Sequence, residues 1–371
     1  MEIEKLVRKE VLNFQPYIPG KPIEELKREL KIKGEIIKLA SNENPLGPSK
    51  EVINAIKDYA KNVNIYPDGS SFNLRKLLAQ KHEITQQEIV FGSGTDELIE
   101  LIGKTFFNPD DEIVVSEHAF IRYKMAGELM GSKVISVPMK NFKHDLSAMA
   151  KAITSKTKAV FVANPNNPTG TYNTKAEVEE FLKSVLGSQF SVLIVFDEAY
   201  YEYARVERDY PETINFYRKY KNIIILRTFS KIYGLAGLRI GYAIANPEIV
   251  SFIDRIRPPF NVNSIAQAVV EKALKDTKNL KESLKLVQEG KKYLYSELEK
   301  IGLKFVPSST NFILIDVSPN KGFDVFQSLL KLGIIVRAMD EYDFPNHIRV
   351  TIGKPNENKK FIEGLRKVLK K

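Results

Sequence analysis

Ser230, Lys231 and Arg239 bring a hydroxyl, an amine and a guanidinium into one stretch, Thr228-Phe-Ser-Lys231-Ile-Tyr-Gly-Leu-Ala-Gly-Leu-Arg239. The apolar run Asn222-Ile-Ile-Ile-Leu226 leads into it and reads as a buried strand. An amine just past a buried strand sheds hydration and is freed as a nucleophile toward a carbonyl. The hydroxyl and the guanidinium suit a phosphate. An amine beside a phosphate site points to pyridoxal 5′-phosphate (PLP); the plain alternative is a surface lysine in a loop between strands.

Three further groups fall at the ends of apolar runs. Gly92-Ser-Gly-Thr95-Asp96-Glu97 opens a helix directly after a strand, and backbone N–H groups there form an anion site. A dinucleotide fingerprint needs a third glycine where Glu97 stands, so a phosphate site survives and a nicotinamide site does not. Asn164-Pro-Asn-Asn167-Pro168-Thr-Gly170 follows the run Ala159–Ala163 and presents the Asn167 amide at the sheet edge where open parallel sheets bind ligands. A sharp turn there predicts a cis Asn167–Pro168 bond. Asp197 ends the apolar run Val192–Phe196, and a carboxylate so placed is costly unless it meets a cation. A protonated pyridinium nitrogen is such a cation, with the Tyr200 hydroxyl in reach of the cofactor's phenolate oxygen. A strand-end aspartate that caps the next element is the alternative. Arg337 and Arg349 lie on later strand patterns, where a planar fork matches a carboxylate or simply joins a surface ion pair.

The elements that must position these groups follow from periodicity. From Ile89 onward, near-continuous apolar strands (Glu112–Val115, Lys133–Val137, Ala159–Ala163, Val192–Phe196, Ile223–Leu226, Ile240–Ala245) alternate with helical patterns. That alternation predicts a mainly parallel sheet covered on both faces. After Pro258-Pro259 come two long helices, near Ser264–Lys275 and Asn279–Lys300. An α+β segment follows, with strands near Lys304–Val306, Phe312–Ile315, Ile334–Arg337 and Ile348–Thr351. The expected division is an arm over 1–44 joining the small domain, a large domain over 45–258 and a small domain over 259–371.

Composition narrows the classes. With no cysteine among 371 residues, disulfides and thiolate metal sites are excluded, and the four histidines show no metal-ligand spacing. The formal net charge of +10 comes from lysines mixed with glutamates on helical faces, without a nucleic-acid reader motif. No apolar run is long enough to span a bilayer, and Met1-Glu-Ile-Glu-Lys-Leu lacks a signal-peptide core, so a cytoplasmic protein is expected.

In this order, the motifs resemble those of the aspartate-aminotransferase-like superfamily, PLP enzymes of fold type I, over nearly the whole chain from about Asn13. Tyr17-Ile-Pro-Gly-Lys-Pro-Ile-Glu-Glu25 and Leu39-Ala-Ser-Asn-Glu-Asn-Pro-Leu-Gly-Pro48 resemble its histidinol-phosphate branch. The resemblance implies a large three-layer α/β/α domain with a small α+β domain, and transamination of L-histidinol phosphate with 2-oxoglutarate. Aromatic amino acid transamination and threonine-phosphate decarboxylation are the alternatives on the same template. It implies that Lys231 is the Schiff-base lysine and proton shuttle, and that Asp197 pairs the ring nitrogen. Asn167 and Tyr200 would hold the phenolate oxygen, and Phe120 would stack on the ring. Ser230, Arg239 and the Gly94–Thr95–Asp96 backbone would take the phosphate. Tyr66 would reach that phosphate from a second subunit, making a homodimer. Arg349 would bind the α-carboxylate, with Tyr17, Asn42 and Arg337 lining the substrate pocket. One departure is Glu117-His-Ala-Phe120, where the family more often has Pro-Thr before a tyrosine. Phe120 keeps the stacking face without the hydroxyl, and His118 is either a further contact or a solvated loop histidine.

Overall fold

The structure, a computed structural model, describes residues 3–12, 14–17, 20–30, 34–187 and 189–370. Ile18 and Pro19 of the motif Tyr17–Glu25 lie outside the described residues. A short strand β1 (Ile37–Lys38) precedes the seven strands of the main sheet. These are β2 (Ile89–Gly92), β3 (Glu112–Ser116), β4 (Lys133–Val137), β5 (Thr157–Ala163), β6 (Leu193–Asp197), β7 (Ile223–Thr228) and β8 (Gly241–Ile244). Their order is β2-β8-β7-β6-β5-β3-β4, and β8 runs antiparallel to both of its neighbours. All other neighbours in the sheet are parallel, so β2, β5, β6 and β7 end at one edge.

Strands covered on both faces must be apolar at every position. Ile223 and Ile225 of β7 face one cluster with Phe181 and Phe196, whereas Ile224 and Leu226 face another with Phe161 and Val195. Each such side chain contributes about 1.5–3 kcal/mol by leaving water, which pins the strand ends that follow. The crossover helix Lys175–Leu186 starts at a capping box. Thr174 accepts from the Glu177 amide at 3.3 Å, and Glu177 accepts from the Thr174 amide at 2.6 Å.

Beyond Pro258-Pro259, helix Ser264–Lys275 packs back onto Lys50–Tyr59 and Phe72–His82, and Thr277–Lys300 runs on to the small sheet. That sheet comprises β9 (Lys304–Val306), β10 (Phe312–Asp316), β12 (Arg337–Ala338) and β13 (His347–Thr351), all antiparallel. The strand expected over Ile334–Arg337 is divided. Its first half, β11 (Ile334–Ile335), pairs in parallel with β1, while Arg337 crosses to β13. The pairing with β1 holds residues 39–43 against the small sheet, with the Thr351 amide donating to the Leu39 carbonyl at 2.8 Å. A helix over Pro247–Ile256 was not anticipated, although its signals are plain. Asn246 caps the Glu248 amide at 3.0 Å, and Pro247 occupies the first turn. A short helix over Thr213–Tyr217 precedes β7.

Candidate active site

The Asn167–Pro168 bond is cis, as expected, and so is Asn164–Pro165. At the shared edge of β5, β6 and β7 lies a cavity of about 380 Å³, closed on its far side by residues 40–43 and the small sheet. Lys231, Asp197, Tyr200, Thr95, Asp96, Phe120, Asn167, Ser230 and Arg239 line it, together with Tyr17, Asn42, Arg337 and Arg349. Two expected residues lie outside the lining. Gly94 sits behind it as the N-cap of helix Thr95–Phe106, and Tyr66 is 80% exposed, stacked on Phe260 at 4.8 Å.

Asp197 is the most constrained group. Its carboxylate accepts from the Tyr123 hydroxyl at 2.7 Å and the Ala199 amide at 3.0 Å. Burial nevertheless pushes its pKa up to about 6, helped by the nearby negative charges of Asp96 and Glu198 and opposed by those two hydrogen bonds. Among the described residues no ion pair reaches Asp197, whereas the next residue, Glu198, pairs with Arg227 at 2.8 Å. A buried carboxylate facing a cavity without a counter-charge is suited to a cation brought by a ligand.

Around Lys231 the polar groups are tied to one another. The Lys231 amine donates to the Ser41 carbonyl at 3.3 Å and lies 5.4 Å from the Tyr200 ring centre. The Tyr200 hydroxyl accepts from the Asn42 amide at 2.8 Å. Asn42 holds a positive φ of 56° and is tied to Thr351 at 2.9 Å through its backbone N–H.

The anion end is built from backbone and guanidinium. The amides that open helix Thr95–Phe106 have no side-chain cap. Arg239, itself at φ 48°, donates to the Ser230 hydroxyl at 3.3 Å and approaches Asp96 at 3.5 Å. A Cβ on Gly94 would lie 2.4 Å from the Arg239 guanidinium, and φ there is +79°. Glycine is therefore required to leave room for that contact. Glu97, at the place of the missing third glycine, accepts from the Ser93 amide at 2.6 Å and shapes the turn.

Opposite, Arg349 donates to the Asn167 side-chain oxygen and to the Ala40 carbonyl at 2.8 Å, and its Nε is buried without a partner. Arg337 pairs with Glu341, and the Tyr17 ring lies 5.7 Å from its guanidinium. His118 turns away from this chemistry, bonding the Tyr342 carbonyl at 2.7 Å and packing on Phe344. The sequence reading missed Tyr123, Ser41 and Glu341. Tyr123 stands one helical turn after Phe120 and could have been found by that spacing. Glu341 carries no local signal, because it reaches the cavity only through pairing in the small sheet, and Ser41, inside the quoted motif Leu39–Pro48, acts through its backbone carbonyl, which the residue type does not reveal.

The residues present fit pyridoxal phosphate: an amine, a buried carboxylate lacking a cation, an uncapped helix start with Arg239 and a glycine cradle, and an aromatic face at Phe120. Comparison with known proteins agrees. Residues 34–365 match the model of the family described as aminotransferase class I and II. The histidinol-phosphate aminotransferase of Moorella thermoacetica is 48% identical over 98% of this chain and 92% of its own length. That of Carboxydothermus hydrogenoformans, numbered 2, is 45% identical over 98% and 99%. The crystal structure of histidinol-phosphate aminotransferase from Sinorhizobium meliloti, in complex with pyridoxal-5′-phosphate, superposes with a TM-score of 0.87 at 27% identity. It covers 97% of this chain and 98% of that one.

Proposed function

This chain belongs to the aminotransferase class I and II family, and we propose that it transaminates L-histidinol phosphate with 2-oxoglutarate in histidine biosynthesis. The relatives named for that reaction over almost the full chain support the substrate. The observation that carries the chemistry is the buried, cation-less Asp197 in one cavity with Lys231.

Bound pyridoxal phosphate supplies an electron sink conjugated to the substrate amine. In this reading Lys231 Nζ would hold the cofactor and, once free, would be the base that takes the proton from the substrate α-carbon. Asp197 holds a protonated ring nitrogen, and Asn167 and Tyr200 hold the phenolate oxygen. Ser230, Arg239 and the backbone at Gly94–Asp96 take the phosphate, with Phe120 against the ring. Arg349 accepts the α-carboxylate in a two-pronged fork. Tyr17, Asn42 and Arg337 line the side-chain pocket. In this reading residues 45–258 are the cofactor-binding unit, with an arm over 1–44 and a small domain over 259–371 that supply the substrate side of the cavity.

The same reading includes a homodimer. Tyr66 is displayed beside Ile65, Val63, Phe72 and Phe260, all exposed, and an apolar patch of that kind suits a protein partner. From a neighbouring subunit Tyr66 would complete the phosphate site. In this reading the cytoplasm is its setting, since the reaction draws on free glutamate and 2-oxoglutarate. Among the described residues no helix is long and apolar enough to cross a membrane.

The test is specific activity of the yellow, PLP-loaded protein with histidinol phosphate, phenylalanine and threonine phosphate. Turnover should be fastest with histidinol phosphate. Equal or faster turnover of phenylalanine, or carbon dioxide release from threonine phosphate, would replace this assignment by the corresponding alternative.

A further inference from the structure

Arg337 and Arg349 are register partners on β12 and β13, so their side chains leave the same face of the small sheet and both line the cavity. The two guanidiniums are compensated differently. Among the described residues Arg349 donates to neutral carbonyl oxygens, those of Asn167 and Ala40. Arg337 meets a carboxylate: its Nε donates to Glu341 Oε1 at 3.1 Å, and Nη2 donates to the same oxygen. Glu341 lies in the turn Asp340–Tyr342 and is itself a cavity-lining residue, its side chain 19% exposed against 11% for Arg337.

We propose that Glu341 is an internal counter-ion that competes with the substrate's distal anion for Arg337, and so sets the preference of the site between anionic and uncharged side chains. The inference rests on the transamination reading above. Like charges directly opposite on a sheet repel, and a buried guanidinium needs a counter-charge. Glu341 meets both needs while the pocket is empty or holds an uncharged side chain. A phosphate or distal carboxylate that takes over the same two donors displaces the Glu341 oxygen. Its net gain is therefore reduced by the pair it breaks. Removing the carboxylate leaves a doubly positive wall, which strengthens anion binding and penalises uncharged side chains.

The experiment is single-turnover amino donation from histidinol phosphate and from phenylalanine, followed by the cofactor's absorbance so that no keto acid enters. Glu341→Gln should raise the ratio of kcat/KM for histidinol phosphate over phenylalanine about tenfold, mainly through KM. Glu341→Asp, which keeps the charge, should restore a ratio near that of the unaltered enzyme. Inorganic phosphate provides a second readout: as an inhibitor competitive with histidinol phosphate it should bind about tenfold tighter to the Gln variant. A ratio that stays put or moves toward phenylalanine, with phosphate inhibition unchanged, overturns the proposal. Amino donation from neither substrate by the unaltered enzyme overturns instead the transamination reading on which it rests.

Discussion

The cavity has two walls of different construction. One is the edge of the main sheet, where β6 ends in Asp197 and the loops after β5 and β7 carry Asn167 and Lys231 above fully buried isoleucine, valine and phenylalanine side chains. The other is assembled from residues 40–43 and from β12 and β13, strands of two and five residues that carry Arg337 and Arg349. On the first wall Asp197 is pinned by a phenol and a backbone amide, and its neighbour Glu198 is neutralised in place. On the second, Arg349 Nε has no partner among the described residues, Tyr17 is 41% exposed, and Arg337 pairs with the Glu341 carboxylate. A wall that must hold one ring in one orientation gains from rigidity. A wall that must admit a donor and an acceptor of different size gains from charges that can be re-paired.

Breaking the first wall should have the largest effect. Lys231→Ala is expected to lower amino transfer by about a thousandfold or more, since nucleophile and proton carrier are lost together. Borohydride should then no longer fix the cofactor to the protein. An activity loss of less than tenfold would mean that Lys231 is not the reacting amine.

Asp197→Asn should lower kcat by about a hundredfold and also leave a mark on the cofactor-free protein. Folding raises the Asp197 carboxyl from 3.8 to about 6, chiefly by burial. A carboxyl raised on folding opposes the fold once ionised. That cost is absent below the free value, grows between 3.8 and about 6, and is complete above it. The Asn variant should therefore exceed the unaltered apoprotein by about 2–3 kcal/mol at alkaline pH and lose that advantage near pH 4, as read from urea midpoints. A stability difference independent of pH would remove the uncompensated carboxylate from the account.

The second wall should respond more gently, and in KM. Arg349→Lys keeps the charge but loses the fork, so KM for glutamate is expected to rise about tenfold or more with kcat less affected. An effect confined to kcat would place Arg349 among the groups that act on the reacting atoms and erase the distinction between the walls.

Legibility in the sequence follows the same division. The strands of the main sheet, the loop Asn164–Gly170, Asp197 and the Ser230–Lys231–Arg239 stretch were readable because each reactive group directly follows an apolar run that can only be a buried strand. Tyr123 was readable in principle from its place on the helix after Phe120. Glu341 and Ser41 were not, because the strands that deliver them are two residues long and exist only by pairing with distant chain, as β1 does with β11.

By itself, then, the sequence determined the sheet, the edge at which it binds and the cofactor chemistry there. These depend on local hydrophobic pattern, and a parallel sheet brings the ends of its strands together whatever lies between them. Only the tertiary structure decided which carboxylate lacks a counter-charge and which arginine has one. Burial and pairing of charge are properties of contacts between residues far apart in the chain. The stretch from Thr228 to Arg239 could announce an amine and a phosphate site, but the Tyr123 hydroxyl on Asp197 and the Glu341 carboxylate on Arg337 arise only when the chain closes on itself.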